Sequence, residues 1–467
     1  MTSRRAAISA GLMAAMALAA IDGTIVATAV PSIVRDLGSF SLFPWVIAGY
    51  MLTQAVSTPV YGRLADLFGR KPMLLTGMAV FLVGSLLAGV AWSMPALIVA
   101  RAVQGVGAGA IQSIVQVVAA DLYPLEERGK ISGLLSSVWG VSALVGPALG
   151  GLLSEYATWR WIFLLNLPVG AVAVTIIALF LKEHVERGRH RLDLLGTALL
   201  VAGVVTVMLG LQNGSPWPVA AGVAVLVLFA WWETRAAEPL LPPWMWRDRV
   251  LLGSFLGSAV VGMILVGPTV YLPTYAQGVL GAGAVAAGFA LAVQSLGWPM
   301  TVFFSARLYL RYGFRDTALA GLALIAVSVV LFVRLTPDSS LLYAGLCAFV
   351  NGCGLGLLSV SMLVGAQSVV GWERRGVVTG GVVFFRIGGG ALGAAILAAV
   401  ANTALADRMG GATSVDEAAR ALGGPGAEPV RQALAAAVHD ALVATAVIVA
   451  FGVAAVLVLP RRTGTTH

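Results

Sequence analysis

Along the 467 residues, apolar runs of about 20 positions recur from one end to the other, separated by short polar breaks. A run of that length crosses the hydrocarbon core of a bilayer as a helix, the conformation in which a lone segment satisfies its own backbone polar groups without water. Fourteen runs stand out, at 6–34, 42–61, 72–91, 95–120, 131–153, 160–181, 194–211, 217–233, 250–275, 284–305, 316–333, 341–366, 377–404 and 438–459. The pattern predicts an all-α polytopic membrane protein with fourteen transmembrane helices. The first run is too long for a cleavable signal, and no small-residue cleavage site separates it from a polar mature region.

Composition agrees with the pattern. Charged residues make up 11% of the chain, against about 25% in soluble domains, and the mean hydropathy is +0.92. The formal net charge of +8 raises the question of nucleic acid, but the placement of the charges answers it. With both termini cytoplasmic, 21 Lys and Arg fall on cytoplasmic segments and six on outer segments (Arg35, Arg160, Arg334, Arg408, Arg420 and Arg431). Arg101 and Arg386 lie inside spans. This is the positive-inside bias of a cell-membrane protein with an even number of spans, and it leaves no nucleic-acid footprint to explain. Cys347 and Cys353 share one span and have no metal-ligand spacing.

The chain repeats itself. ARLYLRYGFR at 306–315 matches GRLADLFGRK at 62–71 at an offset of 244, and NGCGLG at 351–356 matches QGVGAG at 104–109 at an offset of 247. ERRG (373–376) likewise follows EERG (126–129), and Gly393 follows Gly146. The expected organisation is a six-helix half at 1–190, an inserted two-helix hairpin with its linkers at 191–248, and a second six-helix half at 249–467. Parallel six-helix repeats are the build of many secondary transporters, with substrate handled near the midplane. The repeat fails at the charged and proline positions: Asp66 aligns with Leu310, Arg101 with Ala348 and Pro147 with Ala394.

In GRLADLFGRK, Gly62 and Gly69 permit a tight turn, while Arg63, Asp66, Arg70 and Lys71 form a charge cluster at a membrane surface. Such a cluster can clip two elements together in one conformation and release them in another; a positive-inside anchor would need no Asp66. The stretch resembles the signature loop of the major facilitator superfamily. RAVQGVGAGAIQ (101–112) is similar to that superfamily's fourth-span motif, and GVSALVGPALGG (140–151) resembles its fifth-span antiporter motif. IDGTIVATAVPSI (21–33), WVIAGYMLTQA (45–55), WRWIFLLNLPVG (159–170), LDLLGTALL (192–200) and FRIGGGALGAA (385–395) look like the fourteen-span drug:proton antiporter branch. The resemblance implies a major facilitator fold and a conformational switch that includes Gly140, Gly146, Pro147, Gly150 and Gly151. There span five would slide against a helix of the other half, the alternative being ordinary small-residue packing.

Asp22 is the one acid of 21 set clearly within a span. A charge at that depth costs at least a few kcal/mol, so the residue should pair, face the protein interior or take a proton. Its structural alternative is bonding to local backbone or to hydroxyls such as Thr24 and Thr28. Arg101, by resemblance, faces this acid as the fixed charge against which it titrates, with Gln104 one turn on to orient it; its alternative is snorkelling to an interface. Arg386 is either a counter-ion for an anionic substrate group or, the favoured reading, a packing residue bonded to carbonyls or reaching the cytoplasmic loops. Tyr50, Gln54, Gln112, Gln116, Tyr271, Gln294 and Asn351 are candidate wall residues of a substrate cavity. In the long outer loop 405–437, Ser414 to Glu417 is a capping box, Gly423 a helix stop and Pro429 a fresh start.

No phosphate-binding loop, nucleophile elbow or metal-spaced cluster is present. GVGAGA lies inside an apolar run with no strand before it. The expectation is a non-enzyme with no cofactor, driven by a proton gradient: an antiporter exporting lipophilic or amphipathic small molecules from a bacterial cytoplasmic membrane, functional as a monomer. A dedicated exporter of a self-made antibiotic, siderophore or envelope lipid, and a non-transporting sensor or scaffold, are the competing readings.

Overall fold

The computed structural model describes residues 3–39, 42–183, 193–212, 215–409 and 427–461, and every regular element among them is helical. In the first half these are α1 (Ser3–Ile25), α2 (Val30–Leu37), α3 (Phe43–Phe68), α4 (Arg70–Gly89), α5 (Met94–Leu122), α6 (Leu125–Tyr156), α7 (Trp161–Leu164) and α8 (Asn166–Phe180). The hairpin is α9 (Leu194–Gln212) and α10 (Pro216–Glu233), followed by α11 (Trp244–Arg247). The second half holds α12 (Arg249–Gly278), α13 (Ala284–Val333), α14 (Leu341–Ser368), α15 (Arg375–Met409) and α16 (Ala427–Leu457). Ser414 to Glu417 and Gly423 lie outside the described residues, while Pro429 sits in the first turn of α16.

Twelve helices among the described residues are long and apolar enough to cross a membrane, against fourteen apolar runs in the sequence. The difference has two physical sources. α3 is 26 residues long, but its Tyr, Thr, Gln and Ser positions dilute its apolarity, and it is not among the twelve. The span Ala286–Val333 is counted as one, yet Gly313 interrupts it at φ 86° and ψ 166°. Gly69, at the matching position of the first repeat, separates α3 from α4 with φ 98° and ψ 151°. An L-side chain rarely adopts that backbone, so glycine sets the same sharp turn in both repeats.

By its contacts the chain divides into two units: residues 1–251 with 366–384, and residues 252–365 with 385–467. In unit 1, one apolar core gathers Leu12, Met16, Phe81, Ile111 and Ile114, and a second gathers Ile25, Ile33, Leu97 and Phe163. In unit 2 the main core runs through Val261, Leu272, Ile325, Leu358 and Leu442, with a smaller one of Ala404, Leu405, Ala433 and Ala437. Each unit joins its helices through a glycine stripe. A Cβ on Gly105 would meet the Tyr50 carbonyl at 2.3 Å, and one on Gly109 would meet Ser57 Oγ at 2.1 Å. A Cβ on Gly352 would meet the Gln294 carbonyl at 2.2 Å, and one on Gly356 Thr301 Oγ1 at 2.3 Å. The backbones approach this closely only because no Cβ intervenes.

Candidate functional site

Immediately after Asp22 the first span loses its α-helical winding: α1 ends at Ile25, a 3₁₀ turn covers Val26–Ala29, and Pro31 opens α2. Asp22 is fully buried, and four helices of unit 1 close around it. From α5, Arg101 donates through Nη1 to Asp22 Oδ2 and, at 2.6 Å, to Gln104 Oε1. Gln104 Nε2 donates to Asp22 Oδ1 at 2.7 Å and to Ser85 Oγ of α4 at 2.7 Å. From α8, Asn166 Nδ2 reaches the same Asp22 oxygen at 3.1 Å and Ser85 at 3.2 Å. The guanidinium of Arg101 lies 4.1 Å from the centroid of the Tyr50 ring, on α3.

This is a buried ion pair with its remaining hydrogen-bonding capacity met by neutral amides, the arrangement that makes a low-dielectric charge pair tolerable. Thr24 donates to the Ala20, Ile21 and Ser142 carbonyls, and Thr28 to that of Ile25, so neither hydroxyl serves Asp22. Arg101 is 2% exposed and does not snorkel. Ser85 and Asn166 complete the cage without standing out among the polar residues of the apolar runs; Asn166 lies inside the 159–170 stretch. The Tyr50 hydroxyl is buried without a hydrogen-bond partner.

A second polar cluster forms at the end of α3. Asp66 accepts from the backbone amides of Gly376 (2.8 Å) and Val377 (2.7 Å) and from Arg70 Nη2 (3.0 Å). Arg70 donates to the Trp372 carbonyl, lies 3.7 Å from that indole's centroid, and reaches Asp121 at 3.2 Å. Asp121 also binds Arg375 at 2.8 Å. Glu183 caps α4, accepting the Arg70 and Lys71 amides at 2.9 and 2.8 Å, and Lys71 Nζ donates to the Ala178 carbonyl. Gly62 lies so close to this segment that a Cβ would fall 2.5 Å from the Gly376 carbonyl. Residues 366–384, which lie within the second repeat in sequence, thus belong to unit 1 and are held there by the 62–71 stretch.

Burial pushes the Asp66 carboxyl from its ordinary 3.8 up to about 7, against the pull of Arg70 and the two amides. A carboxyl raised in the folded chain binds its proton more tightly there than when unfolded. Its ionisation therefore costs stability progressively as pH rises from about 4 through 7. Asp66→Asn should flatten that part of the stability profile, which thermal melting of detergent-solubilised protein between about pH 4.5 and 7.5 would record. An unchanged slope would remove Asp66 as its source.

The fifth-span glycines correct an expectation. A Cβ on Gly146 would meet Thr24 Oγ1, and one on Gly150 would meet Thr28 Oγ1, each at 2.1 Å. They face the first span of the same half rather than a helix of the other, because the two spans approach closely at the hydroxyl-bearing Thr24 of α1 and Thr28 of the 3₁₀ turn. Gly140 is buried on the same helix, Pro147 lies inside it, and Gly151 faces open space.

The candidate cavity residues divide between the two units. Gln112 is buried with Oε1 unpartnered, the Gln54 carbonyl accepts from Thr58 at 2.7 Å, and the Gln116 carbonyl accepts from Gln367. In unit 2, Gln294 donates to Asn351 at 3.2 Å and Tyr271 is buried in the core. The Arg386 guanidinium is half-buried and has no hydrogen-bond or ion-pair partner among the described residues, so it is not tied to carbonyls as expected.

A family model described as Major Facilitator Superfamily matches residues 12–394. Multidrug resistance protein 3 of Bacillus subtilis is 31% identical over 414 residues, covering 86% of this chain and 81% of its own. Efflux pump dotC of Dothistroma septosporum is 36% identical over 294 residues, covering 60% and 50%. In fold, the chain is similar to the crystal structure of the human organic anion transporter MFSD10, with a TM-score of 0.67 at 14% identity, covering 98% of this chain and all of that one.

Proposed function

The chain belongs to the Major Facilitator Superfamily, and from that premise we propose that it is a proton-coupled antiporter exporting lipophilic or amphipathic small molecules by alternating access. Its relatives carry multidrug and efflux names, and the observation that supports coupling is the Asp22 cage. An acid sealed at 0% exposure beside a cation that cannot give up its own proton has two states: ionised against Arg101, or neutral after Arg101 is drawn away. Proton binding and substrate binding then compete through the same helices. The end of α3, where Asp66 holds the Gly376 and Val377 amides, is the latch that opens and closes with the cycle. Gln54, Gln112, Gln116, Tyr271 and Arg386 are the proposed substrate contacts. The working form is a fourteen-span monomer in a bacterial cytoplasmic membrane with both termini inside. α3 is one span, and α13 supplies two on either side of Gly313.

The test is substrate-driven proton movement in everted vesicles across a panel of compounds. Movement with several lipophilic compounds supports the reading; none with any compound overturns it. Because a single acid lies mid-span, neutral and singly charged compounds should be moved several-fold faster than dications, whose second charge has no carboxylate to meet. Efflux of dications at equal rate and dependent on Asp22 would contradict this. The unpartnered Arg386 favours a narrower version, a dedicated exporter of compounds bearing an acidic group, which the same panel separates by its breadth.

A further inference from the structure

The inserted hairpin carries a polar cluster that the transport cycle does not use. Asp193 caps the start of α9: its Oδ1 accepts the Gly196 amide at 2.8 Å, and its two oxygens accept Trp232 Nε1 at 2.9 and 3.0 Å. Glu233 ends α10 and is 4% exposed. Its Oε2 accepts the Leu241 amide at 2.7 Å, but its Oε1 is buried with no hydrogen-bond partner among the described residues. Both carboxyl groups converge on Gly196. A Cβ added there would lie 2.2 Å from Asp193 Oδ2 and 2.9 Å from Glu233 Oε1.

Two carboxylates this close in a desolvated site cannot both ionise cheaply. Their surroundings divide the roles. Asp193 has the N-terminus of a helix, its amide and an indole N–H, all of which favour the anion. Glu233 faces the Leu241 and Leu240 amides, with Leu241 on Oε2, while Oε1 has no hydrogen-bond partner among the described residues and is where a proton would sit. We propose that Asp193 and Glu233 form a proton-binding pair, with neutral Glu233 donating from Oε1 toward the Asp193 carboxylate, and that it senses pH for the Arg63 loop. The link to that loop is short. Glu233 holds the linker after α10 through Leu241, and Glu238 in that linker lies 3.8 Å from Arg63, inside the 62–71 stretch. Deprotonation sets two like charges against each other and places a second anion near Arg63. Among the described residues, the charged groups linked to the pair are Arg63 of α3 and, through Arg63, Glu238 of the linker; the linker's Arg235 has its guanidinium stacked on Trp231. Asp193 is only partly buried, which gives the proton a route to solvent.

The site can be read without transport. Infrared difference spectroscopy of the full-length reconstituted protein across a pH step should show the carbonyl stretch of a protonated carboxyl. Glu233→Gln should abolish that band, Asp193→Asn should shift its titration to lower pH, and Asp22→Asn should leave it in place. A band that survives Glu233→Gln in protein with an unchanged melting temperature overturns the proposal. In vesicles, Glu233→Gln should displace the pH profile of efflux with protons moved per substrate unchanged; loss of coupling would instead make Glu233 a transported-proton site and overturn the sensing role. The antiport reading fails separately, if Asp22→Asn still couples.

Discussion

Asp22→Asn should abolish uphill efflux and substrate-driven proton movement while leaving downhill substrate exchange. The substitution is nearly isosteric and keeps an oxygen for Gln104 Nε2 and Asn166 Nδ2, so the cage around it should persist. What it removes is the group proposed to alternate between charged and neutral. Without that alternation, substrate can still equilibrate through the protein but cannot be driven by a gradient of protons. The measurement is proton efflux from everted vesicles on substrate addition, paired with counterflow of labelled substrate in the same vesicles. Loss of the first signal with retention of the second is the expected result. A variant that still pumps uphill with coupling intact would remove Asp22 from the mechanism.

Arg101→Ala should have the second large effect, on stability as well as on coupling. The guanidinium is 2% exposed and bonded to Asp22, Gln104 and, at 3.4 Å, the Val46 carbonyl. Taking away one partner of a buried ion pair leaves the other uncompensated, at a cost of about 3–5 kcal/mol if the charge stays. The chain can lower that cost by holding a proton on Asp22 permanently, which also ends coupling. Combining Arg101→Ala with Asp22→Asn should therefore restore most of the thermal stability and none of the transport. Melting temperatures of the two single variants and the double variant in detergent form the double-mutant cycle that decides this. Strict additivity would mean that the pair does not interact. Arg101→Lys should not rescue, because an ammonium cannot bridge Asp22 and Gln104 while lying flat on the Tyr50 ring.

What the sequence revealed of this site, and what it hid, follows from which residues contrast with their surroundings. Asp22 and Arg101 are ionisable residues in apolar runs and stand out at once. Gln104 was found as a neighbour one turn from Arg101. Ser85 and Asn166 are ordinary polar residues of a kind that apolar spans tolerate, and only the crossing of α4 and α8 beside α1 makes them ligands of the acid. The partners of Asp66 were less legible still. They are main-chain amides of Gly376 and Val377, and an amide leaves no mark in a sequence. For the fold, the matching of 62–71 with 306–315 anticipated the paired left-handed glycines at 69 and 313, since a repeat conserves its turn. The same matching gave no hint that residues 366–384 would join the first unit, because that depends on long-range packing.

The two repeats place the same pair of positions in the same relation but fill them differently. Gln104 and Tyr50 stand beside an ionised pair, whereas their counterparts Asn351 and Gln294 bond only to each other, amide to amide. The mid-span carboxylate therefore belongs to one half, and under the proposed antiport each cycle would have one titrating carboxylate at that depth. Exchange of one proton for a neutral compound then carries one net charge across the bilayer. Under the proposed coupling such export would be driven by the membrane voltage, at about 2.3 kcal/mol per 100 mV, in addition to the pH difference. Exchange of one proton for a monovalent cation carries none and runs on the pH difference alone.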